Sequence, residues 1–259
     1  MAEAYFREAG SGPAVLCLHC SASTSGQWRP LMERLSDRYR VIAPDLYGCG
    51  KSPAWPGERP MWIDDQIAFL ASAFERAGER FHLVGHSFGG AIALKAALGM
   101  KPRLASLVLY EPVLFAVLLR AEPQSAAARE IVAVRDDVVC GDSEAAAERF
   151  IDYWMGGGTW AVTPEARRGT LADAVKAQKP EWHSAFNEPT PLEAFAALDV
   201  PTLLMTGTAS TAAARGVARL VAGVLPRVRV EEIEGLGHMA PVTQPGEINA
   251  RIERFLADI

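Results

Sequence analysis

Three things are scarce in this chain of 259 residues: cysteine, basic clusters and long apolar runs. The four cysteines, Cys17, Cys20, Cys49 and Cys140, are too scattered for a disulfide framework and fit a reducing compartment. Cys17-Leu18-His19-Cys20 matches C-x-x-C, but no second such pair exists and Cys17 lies in an apolar run, so metal or redox chemistry is set aside and buried, inert thiols are expected. A net charge of -5 without a lysine or arginine run offers no field for phosphate backbones, which excludes nucleic acid as a partner. The longest purely apolar run, Val113 to Leu119, is too short to span a bilayer, and Met1 to Glu8 carries charges where a signal peptide needs an apolar segment. The expectation is a cytoplasmic protein with no membrane association. Repeats and low-complexity segments are absent too, so one core is expected rather than an array.

What is present is alternation. Apolar runs at Val15 to Leu18, Val41 to Ala43, Phe81 to Val84, Leu104 to Leu109, Thr202 to Met205 and Val228 to Ile233 read as strands. Amphipathic stretches at Trp28 to Leu35, Ile63 to Ala77, Ala91 to Leu98, Ala212 to Val224 and Ile248 to Leu256 read as helices between them. Continuous apolar strands alternating with helices imply an α/β fold with a mainly parallel sheet covered on both faces. Ligands of such sheets bind beyond the carboxyl ends of the strands. From Val113 to about Pro191 the alternation stops and an Ala-Glu-Arg-rich stretch with several aromatics reads as a helical insertion. The expected division is a core of residues 1–112 and 191–259 with a helical cap at 113–190.

Gly85-His86-Ser87-Phe88-Gly89-Gly90 sits between the run ending at Val84 and the helix starting at Ala91, the setting of a nucleophile elbow. A serine hydroxyl needs a base to take its proton. Of the five histidines, His238 alone follows a Gly-containing loop (Glu234 to Gly237) just past the last strand, where an imidazole reaches the elbow. The base in turn needs a carboxylate to orient it. The loop after Met205 reads Thr206-Gly207-Thr208-Ala209-Ser210-Thr211, and no Asp or Glu occurs from Val200 to Val230, so it has no acid to give. One strand earlier, Glu111 is the only acid at the strand's carboxyl end, and it is assigned to His238; a carboxylate that only caps a helix or pairs with an arginine is the alternative. The oxyanion donors are assigned to the backbone N–H groups of Phe88 and Ser21. His19 reads as a structural histidine and Asp45 as a turn residue. Gly-Cys-Gly-Lys-Ser at 48–52 fails as a phosphate loop, because the first glycine of that motif would fall on Asp45.

Taken together, Leu18-His19-Cys20, Asp45 to Ser52, Gly85 to Gly89 and Gly237 to Pro241 resemble four motifs of the α/β-hydrolase superfamily in register, with Ser87, Glu111 and His238 in the family's nucleophile, acid, base order. Cys20 and Ser210 depart from it, standing where the family commonly has glycine and aspartate. The resemblance implies a serine hydrolase with no cofactor or metal, cleaving a small or medium carboxylic ester, thioester or lactone through an acyl-enzyme. Carbon–carbon bond hydrolysis, hydroxynitrile lyase or perhydrolase chemistry with the same triad, and a non-catalytic ligand-binding protein, are the alternatives. The partner expected is a small molecule, contacted by Trp28, Trp154 and Trp160; monomer and homodimer stay open.

Overall fold

Stretches in which every residue is apolar enough to be buried on both sides become the centre of the sheet. Residues 3–259 are described by a computed structural model; Met1 and Ala2, the first of the positions weighed as a leader, lie outside them. The described residues form a seven-stranded sheet: β1 (Phe6–Ala9), β2 (Ala14–Leu18), β3 (Arg40–Pro44), β4 (Phe81–His86), β5 (Leu104–Tyr110), β6 (Thr202–Gly207) and β7 (Val228–Ile233). Their order is β1-β3-β2-β4-β5-β6-β7, and every neighbouring pair is parallel except β1 with β3. β2, β4 and β5 are buried along their whole length, as parallel strands covered on both faces must be.

Side chains alternate between two cores. Leu16, Leu18, Leu83 and Leu107 face one layer with the helices Ile63–Phe69, Ala71–Ala77, Phe88–Met100 and Ala212–Ala222. Val15, Cys17, Val84 and Val108 face the other, covered by the helices Arg29–Leu35 and Pro245–Ala257. The stretch read as one helix from Ile63 to Ala77 is two, interrupted at Leu70, whose ψ of 7° leaves the helical range. β1 is absent from the sequence reading: Phe-Arg-Glu-Ala carries no apolar run, because an antiparallel edge strand is only half-buried.

Between β5 and β6 the chain is helical, with Phe115–Ala121, Ala126–Cys140, Ser143–Met155, Thr159–Val162, Glu165–Ala177 and Lys179–Asn187 following one another. Among the described residues no helix is long and apolar enough to cross a membrane.

Candidate active site

Ser87 stands at the junction of β4 and the helix Phe88–Met100 with φ 57° and ψ −120°. Holding a side-chain-bearing residue there costs about 1–3 kcal/mol, which the surrounding packing must offset. Two glycines make the junction possible. A Cβ on Gly85 would lie 2.6 Å from the Gly89 carbonyl oxygen, and one on Gly89 would lie 2.4 Å from the carbonyl oxygens of Leu18 and His19. Strand and helix therefore approach at backbone distance on both sides of Ser87. The only other non-glycine residues with positive φ among those described are Ala22 (53°) and Glu111 (43°), which follow β2 and β5. Ser87 and Glu111 both bend the chain directly at strand carboxyl ends, on either side of His238.

His238 reaches them from the loop after β7. Its Nε2 lies 2.9 Å from Ser87 Oγ and its Nδ1 lies 2.7 Å from Glu111 Oε2. Ser87, His238 and Glu111 are all buried. Glu111 is held firmly: Thr206 Oγ1 and the Gly207 N–H donate to Oε1 at 2.8 Å each, and Ser210 Oγ donates to Oε2 at 2.6 Å. Burial pushes this carboxyl up, but the hydrogen bond and charge of His238, with Ser210 and Gly207, outweigh it and hold Glu111 below its ordinary value. An ionised carboxylate can only accept, so the imidazole proton sits on Nδ1 and Nε2 is left bare toward the serine hydroxyl. The arrangement has the bonding order needed to draw a proton from Ser87.

The loop after β2 lies across from the elbow. His19 donates from Nδ1 to the Cys20 carbonyl at 2.8 Å and accepts the Leu46 N–H on Nε2 at 3.1 Å, and burial lowers its pKa to about 4, so it is a neutral fixture of the turn. The Cys20 N–H donates to Gln27 Oε1 at 3.1 Å, Gln27 Nε2 donates to His86 Nδ1 at 3.1 Å, and His86 Nε2 donates to the His238 carbonyl at 2.9 Å. One chain of hydrogen bonds thus ties this loop to the loop that carries His238. Burial, and then the proximity of His238, hold His86 well below its ordinary pKa, which keeps it neutral in that chain. Among the described residues neither the Ser21 nor the Phe88 N–H has an acceptor, leaving both free for a ligand oxygen.

Apolar side chains wall the cleft above Ser87, chiefly Phe88, Phe115, Phe150, Trp154 and Trp182, and it measures about 410 Å³ including its part open to solvent. Of the three tryptophans expected at the ligand, Trp154 is there, its ring 4.2 Å from that of His238. Trp28 is not. It packs with Leu31, Val84 and Tyr110 in the core on the opposite face of the sheet, because the turn Ser25–Trp28 directs it beneath the loop rather than over it. Trp160 is also buried away from the cleft, in the packing among the helices after β5, with the Arg168 guanidinium over its ring.

The remaining candidates fall into structural places. Asp45 accepts the Ser25 N–H at 2.6 Å and the Lys51 N–H at 2.9 Å, tying the turn together. Cys17, Cys20 and Cys49 are buried free thiols, whereas Cys140 is exposed, contrary to the expectation for all four. Burial pushes the Cys20 thiol up to about 12.

The chain matches a known family over residues 15–251, described as the alpha/beta hydrolase family. The chain belongs to the alpha/beta hydrolase family. Among relatives of this α/β hydrolase, the putative carbamate hydrolase RutD of Azorhizobium caulinodans is 25% identical over 100% of this chain and 96% of its own. Lipase LipV of Mycobacterium tuberculosis is 38% identical over 104 residues, 39% of this chain and 38% of that protein. Such mycobacterial relatives are matched over only 30% to 38% of their length. The structure of a thermophilic esterase from Thermogutta terrifontis superposes with a TM-score of 0.73 at 26% identity, covering 98% of this chain and 93% of that one.

Two features escaped the sequence reading. The Gln27–His86 tie joins residues 59 positions apart, and no local pattern encodes it. Glu181, from the helix Lys179–Asn187, lines the cleft, accepts the Ser21 hydroxyl on Oε2, and is pushed up to about 8 by burial despite that bond. The one available signal was a glutamate beside Trp182 in an otherwise aromatic-rich stretch.

Proposed function

We propose that this α/β hydrolase is a serine hydrolase that cleaves a small or medium carboxylic ester, thioester or lactone through an acyl-enzyme. The observation that carries the reading is the unbroken relay from Ser87 Oγ through His238 to Glu111, with contacts of 2.9 and 2.7 Å. Ser87 Oγ attacks the substrate carbonyl as His238 Nε2 takes its proton, and the Ser21 and Phe88 N–H groups receive the charge that develops on the carbonyl oxygen. His238 then returns the proton to the leaving group. A water molecule, deprotonated by the same imidazole, resolves the acyl-enzyme. Glu111 keeps the ring aligned and stabilises it when charged.

Residues 113–190 act as a cap whose aromatic side chains form the walls of the substrate cleft. A carbamate is a second substrate class, favoured by full-length similarity to a protein named a putative carbamate hydrolase, and it presents the same kind of carbonyl to the same serine.

Labelling with a fluorophosphonate, together with a panel of esters, thioesters, lactones, a carbamate and a β-diketone, tests the reading. Labelling that disappears in Ser87→Ala and His238→Ala, with turnover of at least one carboxyl ester class, supports it. Labelling retained in Ser87→Ala, or a native protein that neither labels nor turns over any member, contradicts it. Turnover of the β-diketone alone shifts the assignment to carbon–carbon bond cleavage.

A further inference from the structure

Glu181 is a carboxyl group in an apolar cleft with no cation beside it. It is 4% exposed, and no lysine, arginine or histidine forms an ion pair with it among the described residues. Ser21 Oγ donates to its Oε2, while its Oε1 has no hydrogen-bond partner among the described residues. Three aromatic residues, Phe150, Trp154 and Trp182, line the same cleft, with Phe150 and Trp182 meeting edge to face at 6.3 Å. A buried carboxylate without a partner costs several kcal/mol, so such a group stays protonated or meets a charge brought by a ligand. A carboxylate acceptor among aromatic rings is the environment that favours an ammonium: the oxygen takes its N–H and the ring faces take its charge.

We infer that the cleft selects substrates bearing a protonated amine, with Glu181 Oε1 accepting the ammonium N–H and the rings of Phe150, Trp154 and Trp182 around it. This specificity rests on the hydrolase reading above and names the substrate class of that same cleft. In the empty cleft Glu181, pushed up to about 8, holds a proton at neutral pH, so the ammonium binds as that proton leaves for solvent. The titratable groups that feel its charge are the Cys20 and Cys49 thiols, both held protonated by burial well above neutral pH.

Two pairs of esters matched in shape test this. Dimethylaminoethyl butyrate against isoamyl butyrate places the charge on the leaving group, and methyl dimethylaminobutyrate against methyl isoheptanoate places it on the acyl group. In one pair the ammonium ester is expected to show a kcat/KM about 10-fold or more above its neutral partner at about pH 8, from one hydrogen bond between charged groups. That ratio is expected to fall toward one as pH drops below this, in step with the fraction of ionised Glu181. Glu181→Gln is expected to bring the ratio near one and to remove its pH dependence, which a merely structural role does not do.

A ratio near or below one in both pairs, with the neutral esters turned over and Ser87 labelled, overturns the inference and leaves the hydrolase reading intact. If no ester is turned over and Ser87 does not label, the hydrolase reading fails, and calorimetry decides the ammonium site by itself. Titration of Ser87→Ala with dimethylaminoethyl butyrate and, separately, with methyl dimethylaminobutyrate near neutral pH, in buffers of different ionisation enthalpy, is expected with at least one of the two to show release of close to one proton per site. Binding without proton release, or no binding, with each of the two overturns it.

Discussion

Ser210 Oγ donates to Glu111 Oε2 at 2.6 Å, so a hydroxyl at the end of β6 braces an acid carried in from the end of β5. The same oxygen faces His238 Nδ1 at 2.7 Å. The loop after β6 thus serves the histidine indirectly: it supplies no carboxylate of its own but fixes one with Thr206, Gly207 and Ser210. A positive φ of 43° at Glu111 turns its side chain across to those donors.

Removing that brace has a measurable consequence. A hydrogen bond to a charged group contributes about 1.5–3 kcal/mol, so Ser210→Ala is expected to lower the thermal midpoint and to reduce kcat/KM by roughly tenfold or less through a less well held Glu111. Calorimetry and ester kinetics on the one variant check both. Unchanged values in both contradict a bracing role.

The elbow depends on backbone contact rather than on composition. Gly89→Ala sets a methyl group 2.4 Å from the carbonyl oxygens of Leu18 and His19, none of which can step aside without moving β2. Overpacking of this kind costs typically about 1–3 kcal/mol and here falls at the upper end or beyond, because the clash is with backbone. Chemical denaturation gives the loss directly. Gly99→Ala, in the same helix with open space at the Cβ, serves as the control and is expected to be neutral or slightly stabilising.

Stability responds to pH through the two buried glutamates in opposite senses. Glu111 is held below its ordinary value, so its contribution is present above the usual carboxylate range and is lost as pH falls through its depressed value. Glu181 is raised from 4.5 to about 8, so the fold holds a proton that the unfolded chain releases, and stability falls as pH rises between those values. Glu181→Gln removes the second effect. Its thermal midpoint relative to the native protein is expected to rise from about pH 5 to about pH 8, and a constant difference contradicts a raised Glu181.

The parallel sheet was legible because its inner strands are uninterrupted apolar runs, and the elbow because Gly85 and Gly89 flank a serine at a strand-to-helix junction. Glu111 was reached by elimination, since the residues from 200 to 230 contain no acid; its contact with His238 spans 127 positions, and no local pattern encodes it. β1 and Glu181 show what local pattern misses. A half-buried edge strand has no signature against a loop, and Glu181 is a polar residue on a short helix whose hydrogen-bond partner, Ser21, lies 160 positions earlier. Two of the three tryptophans fail for a related reason: aromatic residues mark packing as readily as binding, and the turn Ser25–Trp28 sends Trp28 into the opposite core while the packing of the helices after β5 buries Trp160 and leaves Trp154 at the cleft.

The role given to Glu111 is tested most directly by the kcat/KM of Glu111→Gln on an ester that the native enzyme cleaves, with folding checked by circular dichroism. Glutamine keeps the shape but cannot stabilise a charged imidazole, so a loss of about 10³- to 10⁴-fold is expected. Hydrolysis within about threefold of the native rate, in a variant that folds and still labels at Ser87, contradicts the relay from Ser87 through His238 to Glu111.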